Sequence, residues 1–186
     1  MRRLRNRNPE KVVQVWAQDE ARLGLKPIAR RVWALRGQRP RSCGRTRYQW
    51  VYLFGFVRPS TGATFGVLLP RVSAARMSEA LAAFAAHADP EGKKVLVLLV
   101  DNAGWHRAHA LVVPGNVVLH FLPPCTPELQ PAEPLWPLVR EAVANRSLGR
   151  IDRLRKIVRD RVEYLAQHPE QVQPRVGFHW AVGLER

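Results

Sequence analysis

Six consecutive apolar residues, Val95 to Val100, constrain this chain more than any other feature. A strand with one wet face alternates apolar and polar side chains, so a strand without alternation must be covered on both faces. The run is much too short to cross a bilayer. It predicts a central strand of a sheet flanked by helices. The run stops at Asp101. A carboxylate is thus expected at the carboxyl end of a buried strand, where open α/β sheets form their ligand sites.

The rest of the chain supplies neighbours for that strand. Val12 to Gln18 alternates around Val13, Val15 and Ala17 and reads as a strand closed by Asp19-Glu20. Arg31-Val-Trp-Ala-Leu-Arg36, closed by Gly37, reads as a shorter one. Tyr48 to Val57 is rich in aromatic and β-branched residues and runs into the turn signal Pro59-Ser-Thr-Gly62, with Ala63 to Leu69 as its hairpin partner. Ala74, Met77, Leu81 and Phe84 recur at helical spacing, and Ser73 is placed to cap that helix, which runs to Ala88. Asn116 to Leu122 reads as a strand, Pro123 to Pro131 as a proline-broken loop, and Leu135 to Asn145 and Ile151 to Ala166 as helices. A short helix is expected between Asp101 and Asn116. The order implies an α/β protein of ribonuclease H-like type: a mixed five-stranded sheet flanked by helices. At 186 residues one domain is expected. It would span residues 12–182, after a basic extension over residues 1–11.

The charge says what such a domain would hold. Thirty basic residues face 15 acidic ones, for a net charge of +15. Twenty-five of the 30 are Arg, whose planar fork pairs with phosphate. Residues 1–47 alone carry 12 Arg and two Lys against Glu10, Asp19 and Glu20, a surplus of 11. A nucleic acid is the expected partner, gripped mainly by the N-terminal quarter. A basic start without an apolar segment behind it is no secretory signal. Two cysteines, Cys43 and Cys125, make neither a disulfide framework nor a thiolate zinc site. A cytoplasmic protein without a membrane segment is expected, at the nucleoid when bound to DNA.

With so few acidic residues, their positions are informative. Asp19 closes the first strand, Asp101 closes the buried strand, and Glu133 stands near the start of the next helix. Singly, each has an ordinary explanation: a turn cap, a loop start, a first-turn Glu favoured by the helix dipole. Jointly, with the charge and the strand order, they suggest a site of hard oxygen ligands for magnesium or manganese. Two such ions about 4 Å apart can serve both the attacking and the leaving oxygen of a phosphodiester. The carboxyl groups would then lie roughly 4 to 8 Å apart, given metal–oxygen distances near 2 Å.

Four segments carry a family resemblance. They are Trp16-Ala-Gln-Asp-Glu-Ala-Arg22, Arg31-Val-Trp-Ala-Leu-Arg-Gly-Gln-Arg-Pro40, Val100-Asp-Asn-Ala-Gly-Trp-His106, and Phe121-Leu-Pro-Pro-Cys-Thr-Pro-Glu-Leu-Gln-Pro-Ala-Glu-Pro-Leu-Trp136. Together they resemble the catalytic domain of DDE transposases, in particular the bacterial insertion-sequence family numbered 630 within the mariner superfamily. The likeness runs from about Val12 to Trp180. It implies a ribonuclease H-like fold, Asp19, Asp101 and Glu133 as catalytic and metal-binding triad, and two magnesium ions, with manganese as a substitute. It further implies metal-dependent cleavage at transposon ends, then transfer of the freed 3′-hydroxyl into target DNA. Cys125-Thr126 stand where the family usually has Tyr-Ser. Members also carry helix-turn-helix end-binding domains, so this chain is expected to be the catalytic half alone. Its expected partners are double-stranded DNA, a separate helix-turn-helix subunit and further copies of itself on DNA. The alternatives are a catalytically silent DNA-binding remnant and a ribonuclease H-like nuclease or resolvase outside transposition.

Weaker expectations attach to other residues. Arg30, Arg31, Arg36, Arg39 and Arg41 form a basic hairpin suited to DNA, with Trp33 and Gly37 packing or turning it. His106 either contacts substrate phosphate or the attacking water, or caps its loop. Glu20 points away from Asp19 if the strand continues, and so is not expected to be a ligand. Trp136 is expected in the core. Pro131, Pro134 and Pro137 predict a helix that begins between Pro131 and Pro134 and is distorted near Pro137.

Overall fold

The computed structural model describes residues 1–41 and 48–185, so Cys43 lies outside the described residues. A helix α1 (Arg2–Arg7) precedes β1 (Val12–Gly24), β2 (Trp50–Val57) and β3 (Thr64–Leu69). Then come α2 (Ala74–Ala88), β4 (Lys94–Val100) and β5 (Val117–Phe121). Four helices follow: α3 (Leu135–Arg140), α4 (Ile151–Gln167), α5 (Pro169–Val176) and α6 (His179–Gly183). The strands form one mixed sheet in the order β3-β2-β1-β4-β5. β1 is the middle strand, antiparallel to β2 and parallel to β4.

Residues 95–100 of β4 are all buried, as an apolar run without alternation requires. The sheet separates two cores. Val13, Val15, Ala17, Ala21 and Leu23 of β1 pack with α3, α4, α5 and α6. Trp16, Phe54, Phe56 and Leu98 pack with the apolar stripe of α2, namely Met77, Leu81 and Phe84. Phe56 and Phe84 stack at 4.4 Å between centroids, and Trp16 meets Phe84 edge-on at 5.1 Å. Ser73 caps α2 by accepting the Arg76 N–H, as the sequence predicts.

Four local expectations are corrected. Arg31 to Arg36 is not a strand: Val32, Trp33 and Leu35 are exposed, and nothing buries one face of the segment. Residues 101–116 form turns instead of a short helix. α3 starts at Leu135, with Pro134 at its N-cap and residues 131–134 in turns. It gives way after Arg140 to a 3-10 turn over Glu141–Val143, while Pro137 stands in its first turn, where a missing N–H removes no ladder bond.

The sheet edge is closed by the far end of the chain. β2 pairs with β1 only from Ala17 onward, which leaves the Val15 N–H without a strand partner on that side. Glu185 fills the gap: its carboxylate accepts from Val15 N at 2.6 Å, Ser60 Oγ at 2.5 Å and Arg58 Nη2 at 2.9 Å. Burial opposes ionisation of Glu185, but the Arg58, Ser60 and Val15 donors outweigh it and hold the carboxyl below its usual range. A lowered folded pKa stabilises the fold at pH values above the unfolded pKa and ceases to do so as pH falls through the folded value. Glu185→Ala should therefore cost roughly 1–3 kcal/mol at neutral pH. In urea titrations, the gap between variant and wild type should narrow as pH drops below the ordinary glutamate value of 4.5.

Candidate active site

The parallel register of β1 and β4 sets Ala17 opposite Leu99. Two residues further along each strand stand Asp19 and Asp101, so both carboxylates leave neighbouring chains at the same level. Paired strands run about 4.8 Å apart. The third acidic residue arrives on the proline-rich loop after β5. Gln130, buried in that loop, donates from Nε2 to the Gln18 carbonyl at 3.0 Å and accepts the Ala132 N–H at 3.3 Å. This anchors the loop against β1 one residue before Asp19 and fixes where Glu133 emerges. Asp19, Asp101 and Glu133 line one cavity of about 380 Å³, walled also by Asn102, Pro124, Cys125 and Thr126. Cys125 takes a left-handed φ of 57°, uncommon for a residue with a side chain, where the loop folds over the cavity.

Asp19 is the enclosed member of the three. Its register partner on β2 is Gly55. A Cβ on Gly55 would lie 2.6 Å from Trp136 Cη2, so the indole occupies the space that glycine leaves. From there Trp136 Nε1 donates to Asp19 Oδ2 at 2.7 Å. Trp136 is thus both core, as expected, and partner of a site carboxylate. Burial raises the Asp19 pKa to about 6; the Trp136 and Glu20 N–H donors oppose that, while the Glu20 and Glu133 charges add to it.

Asp101 is held from the other face. Its Oδ1 accepts from Ala103 N at 3.0 Å and lies 2.7 Å from His106 Nδ1. The His106 side chain is 0% exposed, and its Nε2 lies 3.1 Å from Glu20 Oε1. Glu20 Oε1 also accepts from Trp105 Nε1 and Gln18 Nε2, each at 3.1 Å. Burial opposes the charge on this imidazole, but the bonds to Asp101 and Glu20 prevail and raise its pKa to about 9. The protonated ring in turn holds the Asp101 carboxyl below the usual range.

His106 is therefore not placed to touch DNA phosphate, because both ring nitrogens are engaged and no surface is exposed. Glu20 does point away from Asp19, but it is the second anchor of the imidazole. Strand parity reveals its face; nothing in the sequence reveals its partner 86 residues away. Arg31, Arg36, Arg39 and Arg41 are exposed on the irregular segment after β1. Arg30 is tethered: its N–H donates to Asn145 Oδ1 at 2.8 Å, and its guanidinium reaches Pro137 O at 3.3 Å and Glu141 at 3.5 Å.

The three carboxylates share the cavity without closing into a ligand shell. Among the described residues, no three His, Cys, Asp or Glu side chains stand close enough together to hold a metal ion. Asp101 is turned to His106 and Ala103, Asp19 is turned to Trp136, and Glu133 is exposed at the cavity. The donor chemistry nevertheless suits a hard divalent cation. Asp19 resists ionisation because of burial and its carboxylate neighbours, and a cation among them would remove that opposition.

Residues 14–155 match the family model described as DDE superfamily endonuclease. The chain belongs to this family. Over 92 residues it is 42% identical to the uncharacterized protein y4pE/y4sA of Sinorhizobium fredii, covering 50% of this chain and 67% of that protein. The solved catalytic domain of the Mos1 mariner transposase superposes with a TM-score of 0.57 at 16% identity, covering 99% of this chain and 89% of that one. A Mos1 paired-end complex with Mn gives 0.60 at 20% identity, over 99% of this chain and 60% of that one. The fold is therefore the ribonuclease H-like fold of the Mos1 catalytic domain, and this chain spans about three fifths of that longer Mos1 chain. Among the described residues, no helix is long and apolar enough to cross a membrane.

Gly55 carries a test of this geometry. Gly55→Ala should displace Trp136 and loosen its bond to Asp19. The expected result is a loss of about 1–3 kcal/mol in chemical denaturation, as for other overpacked cores. A shift in indole fluorescence should accompany it, and Gly66→Ala, beside Val162 on β3, should leave that emission unchanged.

Proposed function

We propose that this chain is the catalytic domain of a DNA transposase that cuts transposon ends and joins the freed 3′-hydroxyl to target DNA. The observation that carries the reading is the single cavity shared by Asp19, Asp101 and Glu133 in a member of the DDE endonuclease family. Asp19, Asp101 and Glu133 are the residues that would hold two magnesium ions, with manganese as a substitute. Bound there, divalent cations supply Lewis-acid polarisation of the scissile phosphate and neutralise charge that develops on it.

The chain's own residues set the stage for that chemistry. Gln130 fixes the loop that brings Glu133 to the strand ends. His106, held by Glu20, keeps Asp101 ionised and limits its rotation. His106 is thus a positioning residue. Trp136 donates to one oxygen of Asp19 and so fixes the carboxylate that lines the cavity. Arg31, Arg36, Arg39 and Arg41, all exposed, bind the phosphates of double-stranded DNA. Residues 12–182 form the catalytic unit, and residues 1–11 add positive charge. The working assembly is a dimer or higher order on paired DNA ends, joined by a helix-turn-helix subunit that recognises the end sequence, in the cytoplasm at the nucleoid.

Two substitutions test this. Asp101→Asn should abolish cleavage of a transposon-end duplex in magnesium, while binding to the same duplex in gel shifts is retained or tightened. Cleavage by that variant would refute the site assignment. His106→Asn should lower activity or metal affinity by about 10–100-fold, the range for residues that orient a ligand. The magnesium concentration for half-maximal cutting should rise without a change in DNA affinity, a split that a general loss of folding would not produce.

A further inference from the structure

A second cavity, of about 500 Å³, lies past the carboxyl end of β1 and is lined by Arg22, Gly24, Lys26, Tyr48 and Trp50, with Pro27, Ile28 and Gln49. Its origin is visible in the strand pairing. Gly24 is the cross-strand partner of Trp50, and Arg22 is the partner of Tyr52. Residues 22 and 24 share a face, so the missing side chain at Gly24 leaves a gap beyond Arg22 and in front of the indole. The Leu25 N–H donates to Gln49 O at 3.0 Å, which prolongs the pairing and brings Tyr48 to the same rim. A Cβ at Gly24 would sit 3.1 Å from Gln49 O and 3.6 Å from Trp50 Cβ, so a side chain there would crowd the rim.

The lining has a definite chemistry. Among the described residues that line it are two cations and two aromatic rings, and no acidic side chain. Tyr48 is 86% exposed and Trp50 43% exposed, although apolar faces of this size are usually covered. The Arg22 guanidinium already lies over the Trp50 ring, 5.4 Å from its centroid. A flat π-face beside cations is the combination that holds an unpaired nucleotide, by stacking its base and pairing its phosphate. A base inside a duplex has both faces covered by its neighbours and cannot use such a platform. The cavity also lies near the candidate active site: Arg22 is three residues beyond Asp19, about 10 Å along the strand and on the opposite face.

We propose that this cleft binds an unpaired nucleotide of the DNA on which the chain acts, with its base on Trp50 and Tyr48 and its phosphate on Arg22 and Lys26. The assignment rests on the DNA-processing reading above. It adds a subsite that accepts single-stranded DNA next to a domain built to act on duplex ends.

The test uses the full 186-residue chain, with chelator present to prevent cleavage. One probe is a duplex with a three-nucleotide single-stranded end containing 2-aminopurine; the other is the same duplex fully paired. Wild type should bind the first about tenfold more tightly, in line with stacking of one base on an aromatic ring. Its 2-aminopurine fluorescence should fall on binding. Trp50→Ala should lose both effects, Trp50→Phe should keep them, and affinity for the paired duplex should not change. Equal affinity of wild type for the two probes, or quenching that survives Trp50→Ala, would overturn the proposal. If circular dichroism shows Trp50→Ala to be unfolded, the paired substitution Arg22→Gln with Lys26→Gln decides: a selective loss for the single-stranded end supports the cleft, and an equal loss for both probes refutes it. A separate assay in magnesium keeps the two readings apart. Cutting without preference for the unpaired end sinks only the cleft; preference without cutting sinks only the catalytic reading.

Discussion

The parallel register between β1 and β4 is the constraint on which the candidate site depends. Both strands are buried, and each ends its apolar stretch at an acidic residue or just before one. With Ala17 opposite Leu99, Asp19 and Asp101 fall at one level. A slip of one residue would send every side chain of a strand to the other face and expose the apolar set to water. The two-sided burial that makes β4 an unbroken apolar run thus also forbids the slip that would separate the carboxylates. Gly55 and Trp136 then complete what the register begins, because the indole occupies the space that glycine leaves opposite Asp19.

Charge is organised on two scales. The molecule carries +15 overall, yet Asp19, Glu20, Asp101 and Glu133 gather about one end of the sheet. Two of these four carboxylates share one internal cation: the His106 ring lies between Glu20 and Asp101 and carries a proton well above neutral pH. Asp19 is buried, with the neutral N–H groups of Trp136 and Glu20 as donors. Its carboxyl is accordingly the one pushed up, and Asp101 the one pushed down. Two carboxylates at the same level of adjacent strands thus differ because burial dominates at Asp19, whereas the imidazolium neighbour dominates at Asp101.

Much of this was legible in the sequence, wherever a local rule determines the outcome. The run at Val95 to Val100, the Ser73 cap and the hairpin around Pro59 to Gly62 each depend on neighbours a few residues away, and each takes its expected form. Arg31 to Arg36 alternates like a strand but finds no partner, since β2 pairs directly with the far end of β1. The helix after Glu133 is shorter than its apolar pattern suggests, giving way after Arg140 to a 3-10 turn over Glu141–Val143. What could not be read was contact at long range. Gln130 reaches Gln18 across 112 residues, Trp136 reaches Asp19 across 117, and Glu185 reaches Val15 across 170. Each is a single polar side chain meeting an orphan group, and composition or periodicity leaves no trace of such a meeting.

Strand parity links these pieces into one device. Asp19 faces the core of α3 to α6, and with it the loop that carries Glu133. Glu20, the next residue, faces the α2 side and holds His106. Arg22, two residues on, keeps that second face and covers Trp50 at the neighbouring cleft. Thus the catalytic candidate lies on one face, and the side chains that orient its partner and floor the second cavity lie on the other. Residues on opposite faces of a strand do not compete for space, so the α2 face can be rigid, with its imidazole locked at both nitrogens, while the other stays open around the cavity. An open cavity needs that support, because carboxylates facing a solvent-filled space repel one another and would spread unless something behind them fixes their angle. The fixed imidazolium behind Asp101 and the fixed indole beside Asp19 meet this need from opposite sides, and only Glu133, on its loop, is left able to adjust.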